Sequence, residues 1–409
     1  MPADLLSARE TCSILGINQA TLYAYVSRGL LESRPGKDHR SRLYPRQDVE
    51  RLAARKRAGR GAARGAAQSL DRGLPVLETR ISLIRPDGPY YRGRSAVALA
   101  QQGATLEDVA RRLWDCDGHD PFGDDAAFAE RWPDRVAAIA EDASLPPLER
   151  AMSAIPLLAL DVRHSFSSAT RVRHRIAAGL LRHNAALLVA RPPSAGPVHR
   201  LLAHCWKPGD EGFAELVRAA LIVCADHELN VSAFAARVVA STGAHLHATV
   251  CSGLAALSGP RHGGATARAH ALIGDALEAA SPRDFIAERW QRGDDLPGFG
   301  HALYPHGDPR AAEVLARLRT RHAGTPELAA FETLIAAAEE VSGQRPNIDC
   351  LLAATCRLNG LPATPALVMF ATSRLAGWLA HALEQQAQGR LIRPRASYAG
   401  IAPEADAAP

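Results

Sequence analysis

Apolar and polar residues recur with a helical period over most of this chain, and the breaks in that period divide it into three zones. In residues 1–57, Ala8 to Leu15 reads as a helix with Ser7 as its N-cap and Glu10 at its third position. Gly16 ends that helix, because glycine accepts the left-handed backbone of a tight turn. Asn18 caps a second helix, Gln19 to Arg28, which Gly29 ends. Ala8, Cys12, Leu15, Leu22 and Val26 fall where they can share a core. Arg40-Ser-Arg42-Leu-Tyr44 reads as an extended basic arm and Gln47 to Arg57 as a third helix. Residues 58–73 are rich in Gly, Ala and Arg and lack an amphipathic pattern, so they read as a flexible basic linker.

The third zone, residues 74–409, is mainly helical in pattern. One short β stretch is expected at Glu78 to Ile84, ended by the turn residues Pro86, Asp87 and Gly88. Thr105 and Asp108 bracket a capping box, with Val109, Leu113 and Trp114 following at helical spacing. Pro146 and Pro147 can start another helix. Prolines and glycines in 192–210 bound a short helix around His199–Cys205. Phe213 to Ala225 is an apolar-periodic helix running into Asp226-His227-Glu228. Little between 210 and 400 reads as a strand, and no internal repeat is found. The fold class expected is all-α in the main.

Composition fits this reading. Of 409 residues, 47% are hydrophobic and 22% charged, as in globular proteins, and scarce aromatics favour closely packed helices. The net charge of +5 is small, but it is uneven: basic residues from Arg51 to Arg64 meet no acid until Asp71. Seven scattered cysteines, without a C-x-x-C pair, argue against a disulfide framework or a cysteine-rich zinc site. They suit a reducing cytoplasm. The N-terminus lacks the apolar run of a signal peptide, and no apolar run reaches the ~18 residues of a membrane span, so no membrane partner is expected.

Two short helices at a glycine turn, followed by a basic arm, are helix-turn-helix geometry. The S-A-R-E-T-C-S-I-L-G opening, the T-L-Y-A-Y-V-S-R-G-L-L second helix and the R-S-R-L-Y wing resemble the MerR/excisionase-type winged helix-turn-helix. That resemblance implies DNA as a partner. Gln19, Thr21, Tyr25 and Arg28 would lie along the major groove, with Arg40 and Arg42 near phosphates. The bland alternative is a small helical appendage.

Chemistry gathers in the third zone. Its segments are His227-Glu-Leu-Asn230, Gly259-Pro-Arg-His262-Gly-Gly, Gly298-Phe-Gly-His301 through Asp308-Pro-Arg310, and Pro346-Asn-Ile-Asp349. Arg374-Leu-Ala-Gly-Trp378 and Leu391-Ile-Arg393-Pro-Arg395 follow. Glycines beside His262 and His301 let backbone pass close to a ligand. Asp349 sits at an expected helix start, where the helix dipole favours its ionised form. A carboxylate base with two imidazole donors suits proton abstraction next to a carbonyl, and arginines suit capture of carboxylates.

These six segments, in this order, resemble citrate synthase over roughly residues 75–402. Tyr91-Arg-Gly93, the 225–242 stretch and R-L-A-G-W-L-A-H at 374–381 add to the likeness. The resemblance implies a nearly all-helical dimer with a large domain (about 74–260 and 366–409), a small domain (about 261–365) and the site in the cleft. It implies that Asp349 removes a methyl proton from acetyl-CoA, His262 stabilises the enolate and His301 polarises the carbonyl of oxaloacetate. His227, Arg310 and Arg374 would hold oxaloacetate, and Arg393 would reach it from the partner subunit. Acetyl-CoA enters as substrate and no cofactor is implied.

Three positions depart from the family pattern. Pro305 stands where many relatives carry a basic residue towards CoA, Thr266 replaces an asparagine, and Cys350-Leu-Leu follows Asp349. They touch acyl preference more than the base, so 2-methylcitrate synthesis from propionyl-CoA stays open. So does a transcriptional regulator that senses ligands through a synthase-like body. His119, His199, His245, His247, His270 and His381 read as ordinary histidines, Glu384-Gln-Gln as a solvated helix face, and Arg395 as a surface charge. No ligand spacing or phosphate loop points to a metal or a nucleotide.

Overall fold

The computed structural model describes residues 5–15, 17–27, 31, 33–35, 42–46, 48–49, 77–123, 128, 130–162, 165–396 and 400. The chain divides into two compact units, Met1–Glu78 and Thr79–Pro409.

The first unit pairs helices α1 (Ala8–Leu15) and α2 (Gln19–Ser27) with strands β1 (Leu5–Ser7), β2 (Arg34–Pro35) and β3 (Arg42–Pro45). The sheet order is β1-β3-β2, antiparallel, with Leu6 opposite Tyr44 and Arg34 opposite Leu43. Both expected caps form. Glu10 N–H donates to Ser7 Oγ (3.3 Å) while Ser7 N–H donates to Glu10 Oε2 (2.8 Å), and Thr21 N–H donates to Asn18 Oδ1 (2.9 Å). Leu6, Leu15, Leu22, Leu31, Tyr44 and Val49 are buried together, with Ala8, Cys12 and Val26 against them. The described part of the basic arm, from Arg42 to Tyr44, is therefore in strand β3. Gly16, Gly29, Arg28, Arg40, the 58–73 linker and most of the expected third helix lie outside the described residues.

The second unit opens on a small antiparallel sheet, β4 (Ser82–Arg85), β5 (Gly88–Tyr91) and β6 (Arg94–Ser95). The strand falls a few residues later than the sequence suggested, because Ile81 is buried as an anchor and Gly88, at φ +121°, makes the turn. Helices then follow one another: α3 (Ala96–Gln101), α4 (Leu106–Trp114), α5 (Asp134–Ala140), α6 (Pro147–Leu158), α7 (Thr170–Leu188), α8 (Val198–Trp206) and α9 (Glu211–Cys224). The Thr105–Asp108 capping box is present at α4, and Pro147 occupies the first turn of α6. After these come α10 (Val231–Ser241), α11 (Leu246–Leu257), α12 (Gly264–Glu278) and α13 (Pro282–Gln291). The last four are α14 (Pro309–Arg321), α15 (Pro326–Ser342), α16 (Ile348–Leu358) and α17 (Thr364–Gln388). Among the described residues between 210 and 396, extended pairing is confined to one bridge, Phe299 with Pro346.

Helix α17 is the axis of this unit. It packs against α4, α7, α9, α10 and α11, and a helix apolar on every side belongs in such a core. It is long and apolar enough to cross a membrane, contrary to the sequence expectation, but it is almost wholly buried in protein. Close approach is built in: a Cβ at Gly253 of α11 would lie 2.6 Å from the Trp378 ring. Glu384-Gln-Gln is not a solvated face. Arg237 of α10 donates to Gln385 Oε1 (2.7 Å) and Glu384 Oε2 (2.9 Å), and Arg80 N–H donates to Glu384 Oε1 (2.8 Å). The helices from 264 to 358 pack largely on one another, α12 and α14 on α16, and α13 on α15.

Candidate active site

His227 lies in the turn between α9 and α10, and buried neighbours fix that turn. Tyr91 Oη donates to the Ile222 carbonyl (3.0 Å), and Gly377 N–H donates to the Ala225 carbonyl (3.1 Å). A Cβ at Gly377 would sit 2.3 Å from Asp226 Oδ1, so only glycine lets α17 approach this turn. Ser82 Oγ donates to Asp226 Oδ2, and His381 Nε2 stands 3.2 Å from Asp226 Oδ1, both buried. The next residue, His227, places Nε2 3.0 Å from Tyr304 Oη and its ring 5.5 Å from that of His301.

Two loops bring His301 and Asp349 together. Gly300 N–H donates to the Arg345 carbonyl (2.8 Å), Asn347 N–H to the Gly298 carbonyl (2.8 Å), and Asn347 Nδ2 to the Gly300 carbonyl (2.9 Å). Gly298, at φ +91°, passes so close to α16 that a Cβ would meet the Cys350 backbone at 3.1 Å. Leu303 N–H donates to His301 Nδ1 (3.1 Å), which leaves the neutral ring's proton on Nε2. That nitrogen faces Arg310 Nη2 at 3.4 Å. Two donors converging on one point suit a carbonyl or carboxylate oxygen better than each other.

Asp308 is the N-cap of α14 and grips Arg310 bidentately, with Nε to Oδ1 at 2.9 Å and Nη2 to Oδ2 at 2.7 Å. It also accepts Ile348 N–H (3.1 Å), fastening α14 to the start of α16. Burial works to raise Asp308, but Arg310 outweighs it and keeps the carboxyl below the ordinary range. Arg374 differs. It is 1% exposed, its guanidinium lies 4.9 Å from the Phe370 ring centre, and Nε and Nη1 are buried without a hydrogen-bond partner. An orphaned buried guanidinium is costly unless an anion completes it.

His262 ends the turn before α12, where a Cβ at Gly263 would strike the Leu257 carbonyl at 2.4 Å. Its Nε2 is 2.8 Å from Ser232 Oγ, which donates to Asn230 Oδ1 (2.9 Å) and accepts Trp378 Nε1–H (3.1 Å).

The Arg374 charge acts on His227, His262 and Asp349 alike, which places the three in one electrostatic pocket. Burial, then the arginines, drives His227 well below the ordinary histidine value. Burial, then Arg374, pushes His262 down to about 4. Both rings are neutral at pH 7 and can act as electrically neutral hydrogen-bond donors. Burial pushes Tyr304 up to about 12, so it keeps its proton. Asp349 is packed among protein groups yet partly open to solvent, and burial raises it to about 6 against the pull of Arg310. The helix dipole expected to favour its ionised form is outweighed, although Asp349 is indeed in the first turn of α16 behind Asn347. A carboxylate with that pKa is a stronger base than an ordinary aspartate and is still ionised at pH 7.

The structure thus gathers His227, His262, His301, Arg310, Asp349 and Arg374. Arg393 is exposed in the tail after α17, where Ile392 N–H donates to Ser241 Oγ (3.1 Å). Of the departing positions, Pro305 is exposed, and Thr266 and Cys350 are buried. Sequence reasoning missed Asp308, Tyr304 and Ser232. The aspartate before Pro309 carries an N-cap signal, whereas nothing in sequence marks Ser232. In the first unit Gln19 and Arg42 are exposed, and the Thr21 hydroxyl donates to Asn18 Oδ1 (2.8 Å). Tyr25 is half-buried against the core rather than lying along an outer face.

Residues 69–395 match the family described as citrate synthase, C-terminal domain, and residues 5–57 match a helix-turn-helix domain. A citrate synthase of Haloferax volcanii is 37% identical over 195 residues, 47% of this chain and 52% of that one. A 2-methylcitrate synthase of Mycobacterium tuberculosis is 30% identical over 357 residues, 80% of this chain and 89% of that one. The chain spans about half the length of the first curated relatives it matches. In fold it is similar to the citrate synthase of Thermoplasma acidophilum, solved with carboxymethyl coenzyme A and oxaloacetate. That likeness has a TM-score of 0.67 at 24% identity, over 81% of this chain and 96% of that one.

Proposed function

The chain belongs to the citrate synthase family, and on that premise we propose that it condenses acetyl-CoA with oxaloacetate to give citrate and CoA. The observation that carries this reading is a half-buried carboxylate raised to about 6 beside an arginine whose Nε and Nη1 have no partner. Arg374 and Arg310, with His227, receive the carboxylates of the oxo acid. Asp349 takes a proton from the thioester methyl group. His262 donates a hydrogen bond to the thioester oxygen as it becomes an enolate. For this, the Ser232 hydroxyl must turn its one proton from Asn230 Oδ1 to Nε2, leaving the donor at Nδ1. The enolate carbon attacks the keto carbon, whose oxygen is polarised and protonated from His301. Water then cleaves the citryl thioester and releases CoA.

Exposed Arg393 is the group we assign to the neighbouring site of a homodimer. The two helical layers on either side of the site would be the large and small domains, closing over substrate. Seven free cysteines fit a cytoplasmic enzyme.

The test is release of free CoA thiol by the purified protein with oxaloacetate and either acetyl-CoA or propionyl-CoA. Turnover that Asp349→Ala abolishes supports the reading, and no turnover with either donor refutes it. A higher kcat/KM with propionyl-CoA would make the product 2-methylcitrate.

The helix-turn-helix match favours a second role, DNA binding, with exposed Gln19 and Arg42 towards the duplex. Binding that weakens steeply with salt and with Arg42→Ala is expected; salt-insensitive or absent binding refutes it.

A further inference from the structure

Away from this site, three side chains converge where α4 meets α7. The α4 helix ends at Trp114, Asp115 turns the chain at φ +63°, and Cys116 N–H closes onto the Arg111 carbonyl (3.0 Å). Gly118, at φ +72°, brings His119 back towards Cys116. His174, in the second turn of α7, is buried behind them. Cys116 Sγ lies 3.3 Å from His174 Nδ1, which lies 2.9 Å from His119 Nε2. All three donor atoms fall within 4.8 Å of one another, and the two imidazoles are parallel to within 3°.

We propose that Cys116, His119 and His174 bind one zinc ion, with water completing a tetrahedral set. Zinc takes sulfur at about 2.3 Å and imidazole nitrogen at about 2.0–2.1 Å, so ligand atoms on a tetrahedron stand roughly 3.3–3.6 Å apart. The two separations at His174 Nδ1, 3.3 and 2.9 Å, need a few tenths of an ångström of relaxation to reach that, and Cys116 Sγ and His119 Nε2 lie within 4.8 Å of one another. Hydrogen bonding alone explains the cluster less well. A ring nitrogen offers one proton or one lone pair, yet His174 Nδ1 faces both a sulfur and a second ring nitrogen. A cation at their centre satisfies all three atoms. His119 Nδ1 points at the Asp117 carbonyl, 3.5 Å away, where a metal-bound imidazole keeps its other N–H. One thiolate with two imidazoles is a donor set suited to zinc. Spacing hid the site, because only Cys116 and His119 are neighbours in sequence and His174 comes 55 residues later.

The ion would staple the turn after α4 to α7. Trp114, two residues before Cys116, donates from its indole to the Ala376 carbonyl of α17 (2.9 Å), the helix that carries Arg374. The staple therefore steadies a wall behind the substrate site without touching substrate, and it stands or falls independently of the proposed reaction.

The test uses the full-length protein stripped with a chelator. Zinc is titrated against a chromogenic competitor, and cobalt(II) serves as a spectroscopic probe. One zinc per chain, a thiolate-to-cobalt charge-transfer band and a higher Tm with zinc are expected. Cys116→Ser should abolish the band, His119→Ala should weaken zinc binding at least tenfold, and Cys251→Ser should change neither. His119 is half-exposed in a turn, so its variant keeps the test decisive if Cys116→Ser folds poorly. Failure of the wild-type protein to bind a stoichiometric zinc, or binding untouched by Cys116→Ser and His119→Ala, overturns the proposal.

Discussion

Asp349→Asn keeps the shape of the base and removes its charge, and its effect on stability can be worked from the structure. The folded carboxyl titrates at about 6 rather than at its ordinary 3.8. That difference is worth about 3 kcal/mol, at about 1.4 kcal/mol per pH unit. Because the folded value is the raised one, the proton stabilises the fold. The stabilisation is complete below pH 3.8 and is lost as the pH rises through about 6. The asparagine variant cannot ionise, so it should exceed the wild type in stability by about 3 kcal/mol at pH 7.5 and by only about 1 kcal/mol at pH 4.5. The assay is urea unfolding of the ligand-free protein at both pH values, beside the CoA-release assay, in which the variant should be inactive. Wild-type kcat/KM should fall about tenfold per pH unit below about 6. A variant less stable than wild type at both pH values, or a gap that does not change with pH, refutes the assignment of a strained, ionised base.

Other substitutions probe the surroundings of that base. Arg374→Met should raise the KM for oxaloacetate about a hundredfold, from the ~3 kcal/mol of a charged hydrogen bond, while the ligand-free Tm holds or rises. A fall in Tm with KM unchanged would make Arg374 purely structural. Ser232→Ala takes a partner from both His262 and Trp378, and kcat should drop about tenfold to a hundredfold, from ~1–3 kcal/mol. Unchanged kcat would show that Ser232 does not set the tautomer of His262. Gly377→Ala puts a methyl group against Asp226 Oδ1 and the Ala225 carbonyl, and calorimetry should read a loss of about 1–3 kcal/mol. Retained stability would mean that the 226–227 turn yields easily.

The helices were legible because their termini carry local chemistry. Ser7, Asn18, Thr105 and Pro147 mark starts that depend on neighbours within a turn. The ordered histidines, arginines and aspartate were legible as motifs. What escaped depends on distant packing. Glu384 and Gln385 read as solvated because nothing nearby in sequence announces Arg237, which reaches them across nearly 150 residues. Tyr25 reads as an outward side chain until the helix is turned against its own core. Asp349 was placed correctly at a helix start, but the sign of its shift was not, since a dipole acting within one turn is weaker than the desolvation of a carboxyl packed among protein groups.

The two buried arginines carry one further consequence. Arg310 is neutralised by Asp308 before any substrate arrives, whereas Arg374 has no carboxylate bonded to it. Both pull Asp349 down against the burial that raises it. A dicarboxylate bound on Arg374 and Arg310 would cancel much of that pull and bring its own negative charge, so the pKa of Asp349 should rise once the oxo acid is in place. The base would then be strongest when its electrophile is already bound, which favours oxaloacetate entering before the thioester. Above its pKa the carboxylate stays ionised, so this strengthening is compatible with turnover at pH 7.5. The kcat profile reports the complex and the kcat/KM profile the free enzyme, so the acid limb of kcat should lie above about 6, at higher pH than that of kcat/KM. An acid limb of kcat at or below that of kcat/KM would show that the arginines do not govern the base, and the order of binding would then need another cause.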